Sequence, residues 1–314
     1  MKKVIIDTDP GIDDAVAIMF ALASGELDVL ALTAVSGNLQ ADSASANARK
    51  ILSLVGVDTI PVAKGPQTPL NRPYPRDPFS HGDDGLANLG VGPSTLPEDP
   101  RPAYEVIIDL VNRHPGEITI LGLGPLTNLA LAVQSDPALP QKVSELIVVG
   151  GSYGLHAVGV ERATGDNPAS EWNIYVDPEA AKIVFEAGFN LLAIGLDVAT
   201  QPKVDLAAGH RARLEASSKP SAWFLSGVCR FVEDRGFGSY CGLIDALAVA
   251  AALDRTLFST LQLKVGIETQ GELTLGETVV DRREHFRWDH LPTVEVASDV
   301  DAERFFDLLL KAIA

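Results

Sequence analysis

The sequence holds 314 residues, with 25 lysines and arginines against 42 aspartates and glutamates, a formal net charge of −17 at pH 7. That length suffices for one large α/β domain, and the negative field argues against a broad nucleic-acid-binding surface, because a polyanion is repelled; a neutral small molecule or a cation fits it better. No apolar run approaches the roughly 20 residues of a bilayer span, the apolar stretch between Met1-Lys2-Lys3 and Asp7 is too short for a signal-peptide core, and Cys229 and Cys241 make no disulfide framework, so a cytoplasmic protein with reduced thiols and no membrane partner is expected.

The first predicted element is a strand at residues 4–8, followed by an aspartate-rich turn and a helix over 13–23. Strands at 29–35, 60–63, 118–122, 146–150 and 191–196 then alternate with helices at 44–55, 104–113, 126–134 and 178–187. Runs of Val, Ile and Leu alternating with helical patterns are the mark of a mainly parallel sheet. A further helix at 244–253 precedes strands at 261–267, 278–281 and 293–297 and a final helix from Ala302. Residues 64–102 and 151–170 read as long loops, which in a compact domain form lids or rims. No repeat, heptad pattern or low-complexity linker divides the chain, so one domain over residues 1–314 is expected.

In an open parallel sheet, ligands bind outside the carboxyl ends of the strands. Asp7 and Asp9 follow the first predicted strand, Asn38 the second, residues 122–127 a central one, Gly150-Gly151 the next and Asp197 another. The polar residues therefore gather at one edge of the sheet.

Asp7-Thr8-Asp9-Pro10-Gly11-Ile12-Asp13-Asp14 places four carboxylates within eight residues between a strand and a helix. Such a group repels itself unless a counter-charge is present. A hard divalent cation resolves the conflict, and calcium accepts six to eight oxygen ligands in irregular geometry. Pro10-Gly11 supplies a tight turn, and Asp13 and Asp14 fall in the first helical turn, where the helix dipole favours anions. A metal would also acidify a bound water and let a neighbouring carboxylate such as Asp9 take its proton. A strand followed by Asp-x-Asp also opens haloacid-dehalogenase-like phosphatases; here Pro10 and Ile12 interrupt that pattern, and no lysine and late acidic pair complete it.

The segment from Asp7 to Ala15 resembles the signature of the inosine–uridine-preferring nucleoside hydrolases. Further segments resemble the family in order: Val35-Ser36-Gly37-Asn38 with Asn47, His81-Gly82-Asp83-Asp84-Gly85-Leu86, Leu123-Gly124-Pro125-Leu126-Thr127-Asn128, Gly150-Gly151, Glu171-Trp172-Asn173, Asp177-Pro178-Glu179-Ala180, Asp245-Ala246-Leu247 and Thr278-Val279-Val280-Asp281. The resemblance covers nearly the whole chain. It implies a single-domain α/β fold, a Rossmann-like open, mostly parallel sheet with helices on both faces. It also implies calcium-dependent hydrolysis of the N-glycosidic bond of ribonucleosides to free base and ribose, as in nucleoside salvage.

By motif position, the resemblance assigns Asp9, Asp14, Asp245 and the Leu123 carbonyl to Ca2+, with Asp9 also the general base for the attacking water. Asp13 and Asn173 are assigned to the ribose hydroxyls, Glu171 to the 5′ side and Asn38 to positioning sugar or water, while His81 is a further substrate-binding candidate. Asp7 is assigned to support behind the metal site. Dimers and tetramers are usual in the family, so a homo-oligomer is expected. Physically, an anionic pocket stabilises the oxocarbenium character that builds on the ribose, and chelating two hydroxyls orients the sugar.

The sequence departs from the family where the base leaves. Ile244 stands before Asp245, where many members carry a histidine that protonates the departing base or a tryptophan that stacks on it. His81, His156, Tyr240 and Cys241 remain as candidates for activating the leaving group, with Arg230, Glu233 and Asp234 as candidates for lining the base pocket. Val149 replaces a methionine, and Asn167 is a candidate for an asparagine that is out of register. The missing histidine motivates the alternative of a catalytically weak nucleoside- or ribose-binding protein that keeps the metal site.

Overall fold

Successive side chains of a strand point to opposite faces of a sheet, so a strand that is apolar at every position needs a core on each side. In the computed structural model, which describes residues 1–76 and 80–314, Val4 and Ile6 enter one core and Ile5 the other. Leu121 and Ile147 are likewise separated from Ile120, Leu146 and Val148. The helices Ile12–Ala23, Pro220–Glu233, Ala246–Leu253 and Ala302–Ile313 build the first core, and Ala103–Arg113, Thr127–Ser135 and Pro178–Glu186 build the second.

Among the described residues, ten strands form one sheet: β1 (Lys2–Thr8), β2 (Leu27–Ala34), β3 (Val62–Lys64), β4 (Asp99–Pro102), β5 (Ile118–Gly122), β6 (Glu145–Val149), β7 (Leu191–Ile194), β8 (Phe258–Ile267), β9 (Thr278–Asp281) and β10 (Thr293–Val300). Their spatial order is β4-β3-β2-β1-β5-β6-β7-β10-β8-β9. Every pair from β4 across to β10 is parallel, while β8 and β9 extend the far edge antiparallel. The expected open, mostly parallel sheet with helices on both faces is therefore what the chain forms. No helix among the described residues is long and apolar enough to cross a membrane.

The chain steps outward from β1 to β4 on one side, then returns to β5 and runs outward on the other. The reversal between β1 and β5 opens a crevice beyond their carboxyl ends, the place where such sheets bind ligands. Register ties the two strands there: Asp7 lies opposite Thr33 of β2 and Gly122 of β5.

Three sequence expectations change. The 64–102 stretch ends in strand β4, whose Asp-Pro-Arg-Pro sequence carries no strand signal. Proline is tolerated there because β4 is the sheet's outer edge and needs to donate few ladder hydrogen bonds. The 151–170 stretch contains the short helix Ala157–Glu161, and the helix expected from residue 244 begins at Ala246, leaving Ile244 and Asp245 ahead of it.

Candidate active site

β1 ends at Thr8, and the next residues turn back into the helix Ile12–Ala23. The Asp14 carboxylate closes this turn. Its Oδ1 accepts from the Thr8 hydroxyl (2.5 Å) and the Asp9 amide (3.1 Å), and its Oδ2 from the Gly11 amide (3.0 Å). Asn38, just beyond β2, ties two acids together: its backbone N–H donates to Asp9 Oδ2 (2.6 Å) and its side-chain amide to Asp14 Oδ2 (3.2 Å).

Asp9 is clasped by backbone. A Cβ added at Gly37 would stand 2.0 Å from Asp9 Oδ2, and one at Gly124 would stand 2.4 Å from Asp9 Oδ1. Any side chain at either position displaces the carboxylate, so the two glycines set its orientation. Asp7 plays a different part. It is wholly buried, and its Oδ1 accepts from Thr33 Oγ1 (2.6 Å) and Asn128 Nδ2 (2.8 Å), with burial pushing its pKa up to about 7.

Asp13 and Asp245 meet Asp14 from the helix start and from the turn before Ala246–Leu253. One carboxylate oxygen from each of the three lies within 4.8 Å of the others. Asp9 stands outside that trio, linked to it through its amide bond to Asp14. Burial first, and then the charges of their neighbours, hold Asp9, Asp13 and Asp245 well above the usual carboxylate range. Among the described residues none of Asp9, Asp14 and Asp245 pairs with a lysine or arginine, and Asp9 Oδ1 and Asp13 Oδ1 are buried with no hydrogen-bond partner. Buried anions left in this way are unfavourable, and an all-oxygen donor set of this kind suits a hard divalent cation. The residues present fit the ion that the sequence motif implies.

His81 borders the cluster. Its Nδ1 accepts the Ile12 N–H at 3.1 Å and lies 3.8 Å from Asp13 Oδ1, so the neutral ring carries its proton on Nε2. Asn47 holds this loop in place by donating to the carbonyls of both Pro10 (3.3 Å) and Asp84 (2.9 Å).

The third side of the site comes from residues after β5 and β6. Glu171 caps the helix Trp172–Val176: its Oε1 accepts the Asn173 N–H, and its Oε2 accepts those of Ile174 and Gly151. Burial raises its pKa, and these backbone donors oppose the rise. The Asn173 amide donates to the carbonyls of Leu123 (2.7 Å) and Val149 (3.1 Å). With its NH2 group thus used, its side-chain carbonyl oxygen remains as an acceptor.

These groups surround one cleft of about 540 Å3, into which Asp13, Asn38, His81, Leu123, Glu171, Asn173 and Asp245 all project. Asp9 and Asp14 are fully buried beneath its floor. Chain positions from 9 to 245 thus converge on the crevice at the β1/β5 reversal.

The far end of the cleft differs from expectation. Tyr240, Cys241 and Ile244 do line it, but His156 does not; its Nε2 bonds the Ser298 carbonyl (2.8 Å) in a separate surface hollow. Arg230, Glu233 and Asp234 face solvent on the outer side of their helix and its end, and the wall is formed instead by Val232, Arg235 and Phe237. Asn167 is used in holding its loop, donating to the Leu275 carbonyl of the β8–β9 connection and accepting from Ala169 and Ser170. Sequence reasoning missed Arg162, which enters the cleft from the end of the helix Ala157–Glu161. No motif spacing marks it.

The sequence profile of the inosine–uridine preferring nucleoside hydrolases matches residues 4–307. The chain is 36% identical to an inosine-uridine preferring nucleoside hydrolase of Leishmania major, with 99% of this chain and 97% of that protein aligned. It is 37% identical to a pyrimidine-specific ribonucleoside hydrolase of Citrobacter koseri, over 99% and 97% of the two chains. It superposes on a plant nucleoside hydrolase with a TM-score of 0.86 at 36% identity, covering 99% of this chain and 98% of that one. A purine-preferring ribonucleoside hydrolase from Gardnerella vaginalis gives the same TM-score at 30% identity, again over 99% and 98%. These relationships displace the phosphatase alternative, and with them the chain belongs to the inosine–uridine preferring nucleoside hydrolases and is an N-glycosyl hydrolase acting on ribonucleosides.

Proposed function

We propose that the chain performs this hydrolysis with calcium held by Asp9, Asp14, Asp245 and the Leu123 carbonyl, and with Asp9 as the general base. The observation that carries the reading is the buried acidic cluster at the floor of the cleft, where Asp9 Oδ1 and Asp13 Oδ1 have no hydrogen-bond partner and, among the described residues, Asp9, Asp14 and Asp245 pair with no lysine or arginine. A bound cation would supply the charge that keeps these carboxylates ionised and a Lewis acid for the water and the sugar hydroxyls.

The chain's own groups do the rest. Asp9, fixed by the Asn38 amide and flanked by Gly37 and Gly124, takes the proton of the water that attacks C1′. Asp13 accepts from one ribose hydroxyl and the free carbonyl oxygen of Asn173 from another, while Glu171 marks the 5′ side and His81 approaches the substrate from the rim. The carboxylates then face the positive charge that develops on the ribose as the bond to the base lengthens, where fixed anions favour the transition state over the ground state.

A reducing-sugar assay with uridine, inosine, cytidine and adenosine tests the reading. Turnover should disappear on chelation and return with added calcium. Nucleoside binding without turnover on any of the four, in the calcium-loaded protein, would instead support the weak-binding alternative that Ile244 suggests.

A further inference from the structure

The acidic end of the cleft accounts for the water and the sugar, and Ile244 supplies nothing to the base. We infer that Arg162 activates the leaving group by charge alone. On this view its guanidinium faces the base and stabilises the negative charge that the ring acquires as the glycosidic bond breaks. The inference rests on the ribonucleoside hydrolase reading, with the sugar at the aspartate cluster.

Three features of the site point to Arg162. It lines the cleft together with Tyr240, Cys241 and Ile244, the residues that lead into Asp245. Its guanidinium is fixed: Nη1 donates to the Thr200 carbonyl at 2.5 Å, and the Cζ atom lies 4.2 Å from the centroid of the Tyr240 ring. Neither partner neutralises it, since one is a neutral carbonyl and the other an aromatic face. Tyr240 is itself set in place, its backbone N–H donating to Asp205 Oδ1 at 3.0 Å.

The other groups on the wall are poorly suited to the task. Arg235 is held in a similar way, over the Phe231 ring and against the Phe231 carbonyl, but it is exposed, so solvent screens its charge, whereas Arg162 is half-buried. Burial pushes Tyr240 up to about 12 and Cys241 up to about 11. His81 sits at the aspartate end beside Asp13. An arginine keeps its charge at any working pH, so it can stabilise an anion without delivering a proton.

The step balances without a general acid. The C1′–N bond breaks and its electron pair stays on the base nitrogen, delocalised into the ring carbonyls of a pyrimidine such as uracil. The water oxygen forms the new bond to C1′ and gives its proton to Asp9, and the departing base anion collects a proton from solvent. Charge of this kind, developing on carbonyl oxygens beside a fixed donor, is where preorganised hydrogen-bond donors act most strongly.

The test compares two leaving groups in the calcium-loaded enzyme. Arg162→Met should lower kcat on uridine by about 100-fold, the usual loss when one preorganised donor is removed. On 4-nitrophenyl β-D-ribofuranoside, whose phenolate departs without assistance, the same variant should lose no more than about 3-fold, since uniform damage would affect both substrates equally. Arg162→Lys, which keeps the charge, should recover part of the uridine activity. Parallel losses on both substrates, or undiminished uridine turnover in Arg162→Met, would overturn the inference. If the wild-type enzyme hydrolysed neither substrate, the failure would lie in the hydrolase reading.

Discussion

The two ends of the cleft are built in different ways. The aspartate end hangs on strand termini and backbone: Asp14 accepts from two backbone amides, Asp9 is fixed by the Asn38 amide between two glycines, and Glu171 accepts three backbone N–H bonds. The far end is walled by side chains from the end of the helix Ala157–Glu161 and from residues 232–241, where Phe237 remains 49% exposed. Backbone-fixed groups leave little room for variation, whereas a side-chain wall can be exchanged without disturbing the sheet. The relatives fit this contrast, since proteins named pyrimidine-specific and purine-preferring each align with 99% of this chain.

The sharpest way to break the contrast is at the aspartate end. Asp9→Ala should abolish measurable turnover, a fall on the order of 10^4 in kcat, while circular dichroism stays native. Near-normal kcat would remove Asp9 as the base. Next in size is the sugar itself. With the 2′-hydroxyl missing, kcat/KM for deoxyuridine should fall below that for uridine by about 10^3-fold or more, because buried polar groups lose their partner. Equal values would refute the proposed hydroxyl contacts.

A subtler substitution tests whether backbone shape sets the chemistry. In Gly124→Ala the new methyl meets Asp9 Oδ1, and a carboxylate displaced by even about 1 Å should lower kcat by about 10^2-fold with little change in KM. A loss confined to KM would show that the clasp serves binding.

The smallest effect concerns stability. Burial and mutual repulsion hold Asp9, Asp13 and Asp245 above the usual carboxylate range, and burial holds Asp7 at about 7. A carboxyl whose folded value is raised binds its proton more tightly in the folded than in the unfolded chain. The stability it contributes is therefore full below about pH 4 and is lost as pH rises through the folded values. The ion-free protein should thus melt at falling temperature as pH rises from 5 to 8, with the share of the drop due to Asp7 accumulating up to about pH 7 and levelling off above it. Calcium at 100 times its Kd should return about 2.7 kcal/mol. A Tm that rises over the same range without calcium would contradict the burial of these acids in protonated form.

Much of this molecule was legible in its sequence. Apolar strand and helix periods gave the parallel sheet and most element positions, because buried strands of this kind tolerate only apolar residues on both faces. The cluster from Asp7 to Asp14 stood out because four carboxylates between a strand and a helix demand a counter-charge, and Asn38 because it follows a strand; Glu171, Asn173 and Asp245 were legible only through the family resemblance. β4 escaped notice because an edge strand accepts prolines, and the cap made by Glu171 lay hidden inside a motif.

The tertiary structure alone decided the rest. It set four neighbouring aspartates in different surroundings, turning Asp7 toward Thr33 and Asn128 and burying Asp9 beneath the floor while Asp13 opens into the cleft. It also separated His156 from the cleft and brought Arg162 into it beside Tyr240. Those two residues are only six positions apart in the chain. Without periodicity or backbone register in that segment, the path of the loop determines which one enters the cleft, and that path depends on packing against distant residues such as Thr200 and Ser298.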